Sequence, residues 1–309
     1  MRLALAGGGA ALAVAVPLLA SSYYVNIASQ ILIAAVFALS LNLLVGYAGL
    51  PSLGHTAYLG VSAYVVAWLT TRAGADHLLA AVAALSLTTL MAAGFGVLAL
   101  RGTGIGFLMI TLALAQILWG AAYRWVSLTG GDNGITGLSR PRPFGLDLSS
   151  AGAFYGFTLV VAAVVFASAA ALVHSPFGAS VRGSRDQPRR MRALGFNVWL
   201  VQWLVFVAGG LGAAVAGLLF VYYNQFIGPP ALALTNSAEV LLMVIAGGAG
   251  TLGGPLVGAA VVVVLKNVVS AHVTRWVLLL GAVFVLIVVF MPAGLVPGLS
   301  SLWRRSSRS

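Results

Sequence analysis

Residues 78–100, LLAAVAALSLTTLMAAGFGVLAL, run without a single charged side chain. About 20 such residues, wound as a helix, cross the hydrocarbon core of a bilayer. Apolar runs with at most one charged residue recur along the chain, at residues 3–20, 25–47, 56–71, 105–125, 153–173, 199–222, 237–246, 256–271 and 276–290. Charged residues make up 7% of the chain and hydrophobic ones 61%. A soluble domain is about a quarter charged, and so few charges leave too much apolar surface to cover in water. The expected fold is an all-α polytopic integral membrane protein. It would have about ten transmembrane segments, some of them broken by glycine.

An even number of segments puts both ends on one side. With the ends inside, the inner face gathers Arg2, Arg101, Arg182, Arg185, Arg189, Arg190, Arg192, Arg304, Arg305 and Arg308. The outer face keeps Arg72, Arg124, Arg140, Arg142 and Arg275, together with Asp76, Asp132 and Asp147. The excess of arginine inside fixes this orientation, with both termini cytoplasmic. The opening MRLALAGGGAALAVAVPLLASS fits both a signal peptide and a retained first helix. The retained helix is the reading adopted, and either one brings the chain outside near Ser21. A net charge of +11 then reads as basic loops held against anionic membrane lipid. Nucleic acid is not an expected partner, because no basic patch is interleaved with aromatics outside the apolar segments. The chain has no cysteine, which excludes disulfides, thiol catalysis and cysteine metal sites.

Against this background SVRGSRDQPRRMRALGF, from Ser180 to Phe196, is unusual. Asp186 is a good helix N-cap, Pro188 fits a first turn and Gly195 is a natural stop. The stretch therefore predicts a short cytoplasmic helix, with Met191 and Leu194 on one face. It serves either as a solvated basic anchor or as a docking helix for a cytoplasmic partner. A capped helix with an apolar contact favours docking.

Two apolar runs are interrupted by glycines, LLVGYAGLPSLGHTAYLGVSAY (Leu43 to Tyr64) and LLMVIAGGAGTLGGPLVGAA (Leu241 to Ala260). They form a weak internal repeat. Broken helices in matching halves point to a transport pathway, and glycine in membrane helices also serves close packing. The pathway candidates are Asn42, Gly49, Gly54, His55, Gln116, Glu239, Gly250 and Gly253, the four glycines being expected to tolerate side chains badly. His55, a lone histidine, reads more readily as a packing residue than as a ligand. For Glu239 the plain reading is a helix N-terminal role, and Lys266 is expected to snorkel or pair. Asn26, Gln30, Asn224, Gln225 and Asn267 are further polar residues in or next to the apolar segments. The only lysine lies in VVLKNVV, so the chain has no G-x-x-x-x-G-K-[ST] phosphate loop. No ATP hydrolysis, metal or cofactor is expected of it, and energy for uphill transport must come from elsewhere.

LNLLVGYAGLPSLGHTAYLGVSAY resembles the signature region of LivM-type permeases, the membrane subunits of branched-chain amino-acid ABC importers. So do TLALAQI, TGGDNGITGL, SPFGASVRGSRDQPRRMRALGFNV, VLLMVIAGGAGTLGGPLVGA and MPAGLVPGL, in the same order from about Tyr23 to Leu299. SLGH at Ser52 to His55 favours the M-type subunit over its H-type sister. The resemblance implies one transmembrane permease domain over residues 1–309, with an external loop at 126–152 and a cytoplasmic coupling loop at 175–197. The coupling residues would be Arg185, Asp186, Arg189, Arg190, Met191, Leu194 and Gly195. It also implies alternating access in the bacterial inner membrane. The implied partners are an H-type permease, two ATPase subunits, an external solute-binding protein and a branched-chain or related hydrophobic amino acid. In RGTGIGFLMITLA the family's usual aromatic is replaced by Gly104 or Ile105. A stand-alone carrier or channel for a small amide or amino acid is the alternative. A membrane enzyme would need a cluster of His, Asp or Glu, which the sequence lacks.

Overall fold

A computed structural model describes residues 21–142, 147–269, 276–291 and 293–298. Within them each expected apolar segment is helical; the segment at residues 3–20 and the basic tail lie outside the described residues. Helix α1, Ser22–Asn42, runs on through a π-helical turn, Leu43–Ala48. After a glycine break come α2 (His55–Thr71), α3 (His77–Ala99) and α4 (Ile105–Arg124). A short α5 (Val126–Thr129) and strand β1 (Ile135–Thr136) lie in the loop before α6 (Ala151–His174). The arginine stretch forms α7 (Pro176–Asp186) and α8 (Pro188–Ala193). Then follow α9 (Val198–Asn224), strand β2 (Phe226–Ile227) and α10 (Leu234–Gly247). A second break leads to α11 (Gly254–Val264), a π turn at Leu265–Val269, and α12 (Trp276–Phe290).

The ends of these helices are written in single residues. Asp76, Ser150, Ser175 and Asn197 precede α3, α6, α7 and α9. Each accepts a hydrogen bond from a backbone N–H of the first turn, at 3.1–3.2 Å. Such caps satisfy donors that a helix start leaves open. Among the described residues five spans, including α1 with its π turn, are long and apolar enough to cross a membrane. The others, such as α2 with 17 residues and α10 with 14, are shorter. Three of the short helices, α2, α10 and α11, flank the glycine breaks.

Burial sorts the spans into two layers. The apolar window of α1 is 78% buried and that of α9 is 61%, whereas α3, α4 and α6 bury 22% each. The first two form the core; the rest turn side chains such as Leu90, Ile117 and Val160 outward, as lipid requires. Helix α9 packs on α1, α2 and α3, and α1 also packs on α6 and α11. Contact is close because small residues face backbone. A Cβ on Gly217 of α9 would strike the Leu59 carbonyl of α2, and one on Gly258 of α11 would strike the Met243 carbonyl of α10. Strands β1 and β2 pair antiparallel, Ile135 opposite Ile227, and tie the loop before α6 to the end of α9. This two-residue ladder is the one departure from an all-helical fold among the described residues.

Packing at these crossings is tight, so Gly217→Leu is expected to destabilise the protein by about 1–3 kcal/mol, the usual result of overpacking. Gly120→Leu and Gly156→Leu fill open space and are expected to leave it unchanged. Melting in detergent, followed by loss of the monodisperse peak in size exclusion, checks this. Equal midpoints for all three would contradict the packing described.

Candidate functional site

The two glycine breaks meet. Asn42, the last residue of α1, is fully buried. Its Oδ1 accepts from the Gly250 N–H at 2.9 Å and its Nδ2 donates to the Thr251 carbonyl at 2.9 Å. One side-chain amide thus answers the donor and the acceptor that the second break leaves unpaired. A Cβ on Gly46 would land on the backbone nitrogen of Gly250, so the π turn and the break touch backbone to backbone. Thr251 closes the other side. Its Oγ1 donates to the Gly248 carbonyl at 2.8 Å and accepts from the Gly254 N–H at 3.0 Å.

The arginine stretch reaches this junction from below. It folds as two helices, not one. Pro188 disfavours helical backbone at the residue before it, and Gln187 sits at φ −142° and ψ 66°. Asp186 therefore ends α7 instead of capping α8. Its carboxylate takes the Arg185 Nε–H at 2.7 Å, which holds it below the usual carboxylate range. Gly195 ends the stretch as expected. With φ +86° it allows Phe196 N–H to bond the Met191 carbonyl and its own N–H to bond the Arg192 carbonyl, both at 3.0 Å. Met191 and Leu194 do not share a contact face. Met191 lies back over Gly183 of α7, while Leu194 is 72% exposed. Arg189, Arg190 and Arg192 are exposed as well.

Arg185 makes the connection. Its Nη1 donates to the Gly46 carbonyl at 2.6 Å. That carbonyl is an orphan of the helix end, because Leu50 N–H bonds the Leu44 carbonyl and Pro51 has no N–H. The arginine's aliphatic stem lies over Gly49, where a Cβ would come within 2.6 Å of Cγ. Gly49 is left-handed, at φ +69°, a second reason for glycine there.

The remaining pathway candidates divide. Gly54 fits the expectation, since its Cβ would strike the Thr111 carbonyl of α4; Gly250 is left-handed at φ +80°. Gly253 does not fit. Its φ is −82° and a Cβ there would meet nothing within 4 Å; the crowded neighbour is Gly254. His55 is fully buried, its Nε2 2.8 Å from Ser40 Oγ and its ring stacked on Phe37 at 5.5 Å. Ser40 gives its hydrogen to the Phe37 carbonyl, so Nε2–H of His55 is the donor. Gln116 is half-buried on α4, apart from the junction.

Glu239 lines a cavity of about 440 Å³ between α1, α9, α10 and α11. It lies in the second turn of α10, and the N-terminal role gives way to an ion pair with Lys266 at 3.2 Å. Next to Lys266, Asn267 Nδ2 donates to Gln30 Oε1 at 2.9 Å, and Gln30 Nε2 donates to Tyr223 Oη at 2.8 Å. Phe37 bounds the cavity toward the junction, five residues before Asn42, or about 7 Å along the helix. The cavity, its floor and the glycine junction are thus stacked along α1. Sequence reasoning passed over Gly46 and Thr251. The signal for Gly46 was present: it follows Asn42 by one helical turn and precedes Pro51 by five residues.

Known proteins share this chain's pattern. Residues 23–289 match the family described as "Branched-chain amino acid transport system / permease component". The "High-affinity branched-chain amino acid transport system permease protein LivM" of Escherichia coli (strain K12) is 29% identical over 93% of this chain and 73% of its own length. The protein of that name from Salmonella typhimurium (strain LT2) is 28% identical over the same shares. The "Probable branched-chain amino acid transport permease protein LivM" of Methanocaldococcus jannaschii is 24% identical over 85% of this chain and 90% of its own length. No solved structure matches significantly. A multi-pass helical membrane protein with these matches belongs to the family of branched-chain amino-acid transport permease components, as a LivM-type permease.

Proposed function

We propose that this chain is a translocating subunit of an ABC importer for branched-chain or related hydrophobic amino acids, acting by alternating access in the inner membrane. Both termini face the cytoplasm. An H-type permease completes the path, two ATPase subunits bind residues 175–197, and an external binding protein delivers the solute. The observation that carries this reading is Arg185. One side chain joins the stretch facing a cytoplasmic partner to the carbonyl of a broken transmembrane helix. A push on α7 and α8 changes that bond, and the π turn and the Asn42 clamp then have a reason to rearrange. The exposed Leu194 and the arginines around it suit a partner's groove. The arginines contribute steering and orientation, and Leu194 contributes about 1.5–3 kcal/mol if fully buried there.

Two substitutions separate transmission from docking. In the reconstituted complex, Arg185→Ala is expected to lower ATP-driven leucine uptake at least tenfold while the ATPase stays bound and active. Leu194→Asp is expected to release the ATPase or to abolish its coupling, whereas Arg189→Gln with Arg190→Gln acts more mildly. Wild-type uptake in Arg185→Ala and Leu194→Asp would leave the stretch a topological anchor. A complex that imports leucine yet carries no ATPase would favour the stand-alone carrier.

Orientation has its own test. Ser127 and Gln187 are both exposed, and the chain contains no cysteine. Ser127→Cys and Gln187→Cys are expected to react with an impermeant thiol reagent from opposite sides of the membrane. Labelling from the same side would overturn the topology.

A further inference from the structure

The cavity between α1, α9, α10 and α11 has a wall of mixed character. Ile33, Phe37, Val240, Met243 and Val263 make most of it apolar. Its charges are one carboxylate and one ammonium, Glu239 and Lys266. The ammonium lies 3.2 Å and 3.3 Å from the two carboxylate oxygens, longer than a tight charged hydrogen bond of about 2.7–2.9 Å. The Lys266 side chain is 46% exposed and that of Glu239 is 19%, so the pair faces the void instead of being sealed between helices. Its placement is fixed from behind. Asn267 bonds Gln30 and the Val263 carbonyl, both at 2.9 Å, which holds the π turn carrying Lys266.

Charges that line an apolar cavity are tolerated only while each has a partner. A ligand that parts the pair must replace both partners at once. A molecule with an ammonium and a carboxylate on one carbon does this with no change in net charge, and its apolar side chain meets the apolar wall. A molecule carrying only one of the two charges leaves Glu239 or Lys266 unpaired and is rejected on that ground. We infer that this cavity is a transit site for a zwitterionic α-amino acid with an apolar side chain, Glu239 taking its ammonium and Lys266 its carboxylate. The inference rests on the importer reading and adds the residues that recognise the solute.

The chain's lack of cysteine supplies the test. Asn224 lines the cavity, is exposed, and bonds the Phe220 carbonyl one turn back in its own helix. In the reconstituted complex, Asn224→Cys is labelled from outside with an impermeant maleimide and followed on this chain. Saturating L-leucine is expected to slow labelling at least fivefold. The deaminated acid and the decarboxylated amine of leucine are expected to have no effect. Adding Glu239→Gln and Lys266→Met together, which removes both charges and leaves neither unpaired, is expected to abolish the protection by leucine. Equal protection by either analogue, or undiminished protection in the double variant, would overturn the inference. If the double variant does not assemble, the analogues on the unsubstituted pair decide. A complex that imports leucine without protection overturns the site and spares the importer reading. Protection without ATP-driven uptake supports the site and overturns the importer reading.

Discussion

Much of this structure depends on one amide. Asn42 joins two helix breaks that bring backbone against backbone inside a membrane protein. In hydrocarbon no water answers an open N–H or C=O, so irregular backbone persists only where protein satisfies it. Asparagine offers a donor and an acceptor on one planar group, the complement of the two groups exposed by Gly250 and Thr251. Leaving both unpaired would cost about 1–3 kcal/mol each. An apolar residue cannot replace it, and the glycines beside it are required by the approach that the amide holds.

From that clamp the rest is arranged in order. The π turn that follows Asn42 leaves the Gly46 carbonyl without a helical partner, and Arg185 arrives from α7 to take it. A cation at a helix C-terminus is favoured by the helix dipole as well. On the other side of the clamp the Phe37 ring stacks on His55 and closes the cavity from the junction. Motion at the arginine stretch, the state of the breaks and the floor of the cavity thus share one helix, α1. A wide π turn is a natural place for such a helix to change, since its hydrogen-bond ladder is already interrupted.

The apolar segments were legible in the sequence because bilayer thickness dictates their length, whereas the caps Asp76, Ser150, Ser175 and Asn197 were passed over. The breaks were legible as glycine clusters. Which glycine matters was not, because the letter does not carry the sign of φ: Gly250 is left-handed and Gly253 is ordinary. At Asp186 two local signals competed, and the restriction imposed by Pro188 outweighed the carboxylate's preference for a cap. Met191 followed from neither, since its partner Gly183 lies on the preceding helix. Gln30, Tyr223 and Asn267 stood out as polar residues or passed unnoticed, but nothing local links positions about 190 and 240 residues apart. Only the packing of α1 against α9 and α11 does so.

We propose that Arg185 transmits movement of the arginine stretch to the glycine junction. Gly253 is open and has ordinary backbone, so a spin label on Gly253→Cys reports on the second break without disturbing it. In the reconstituted complex the label's mobility should change between the nucleotide-free and ATP-bound states. With Arg185→Ala that change should vanish although ATP still binds. A nucleotide-dependent change that survives in Arg185→Ala would contradict the account.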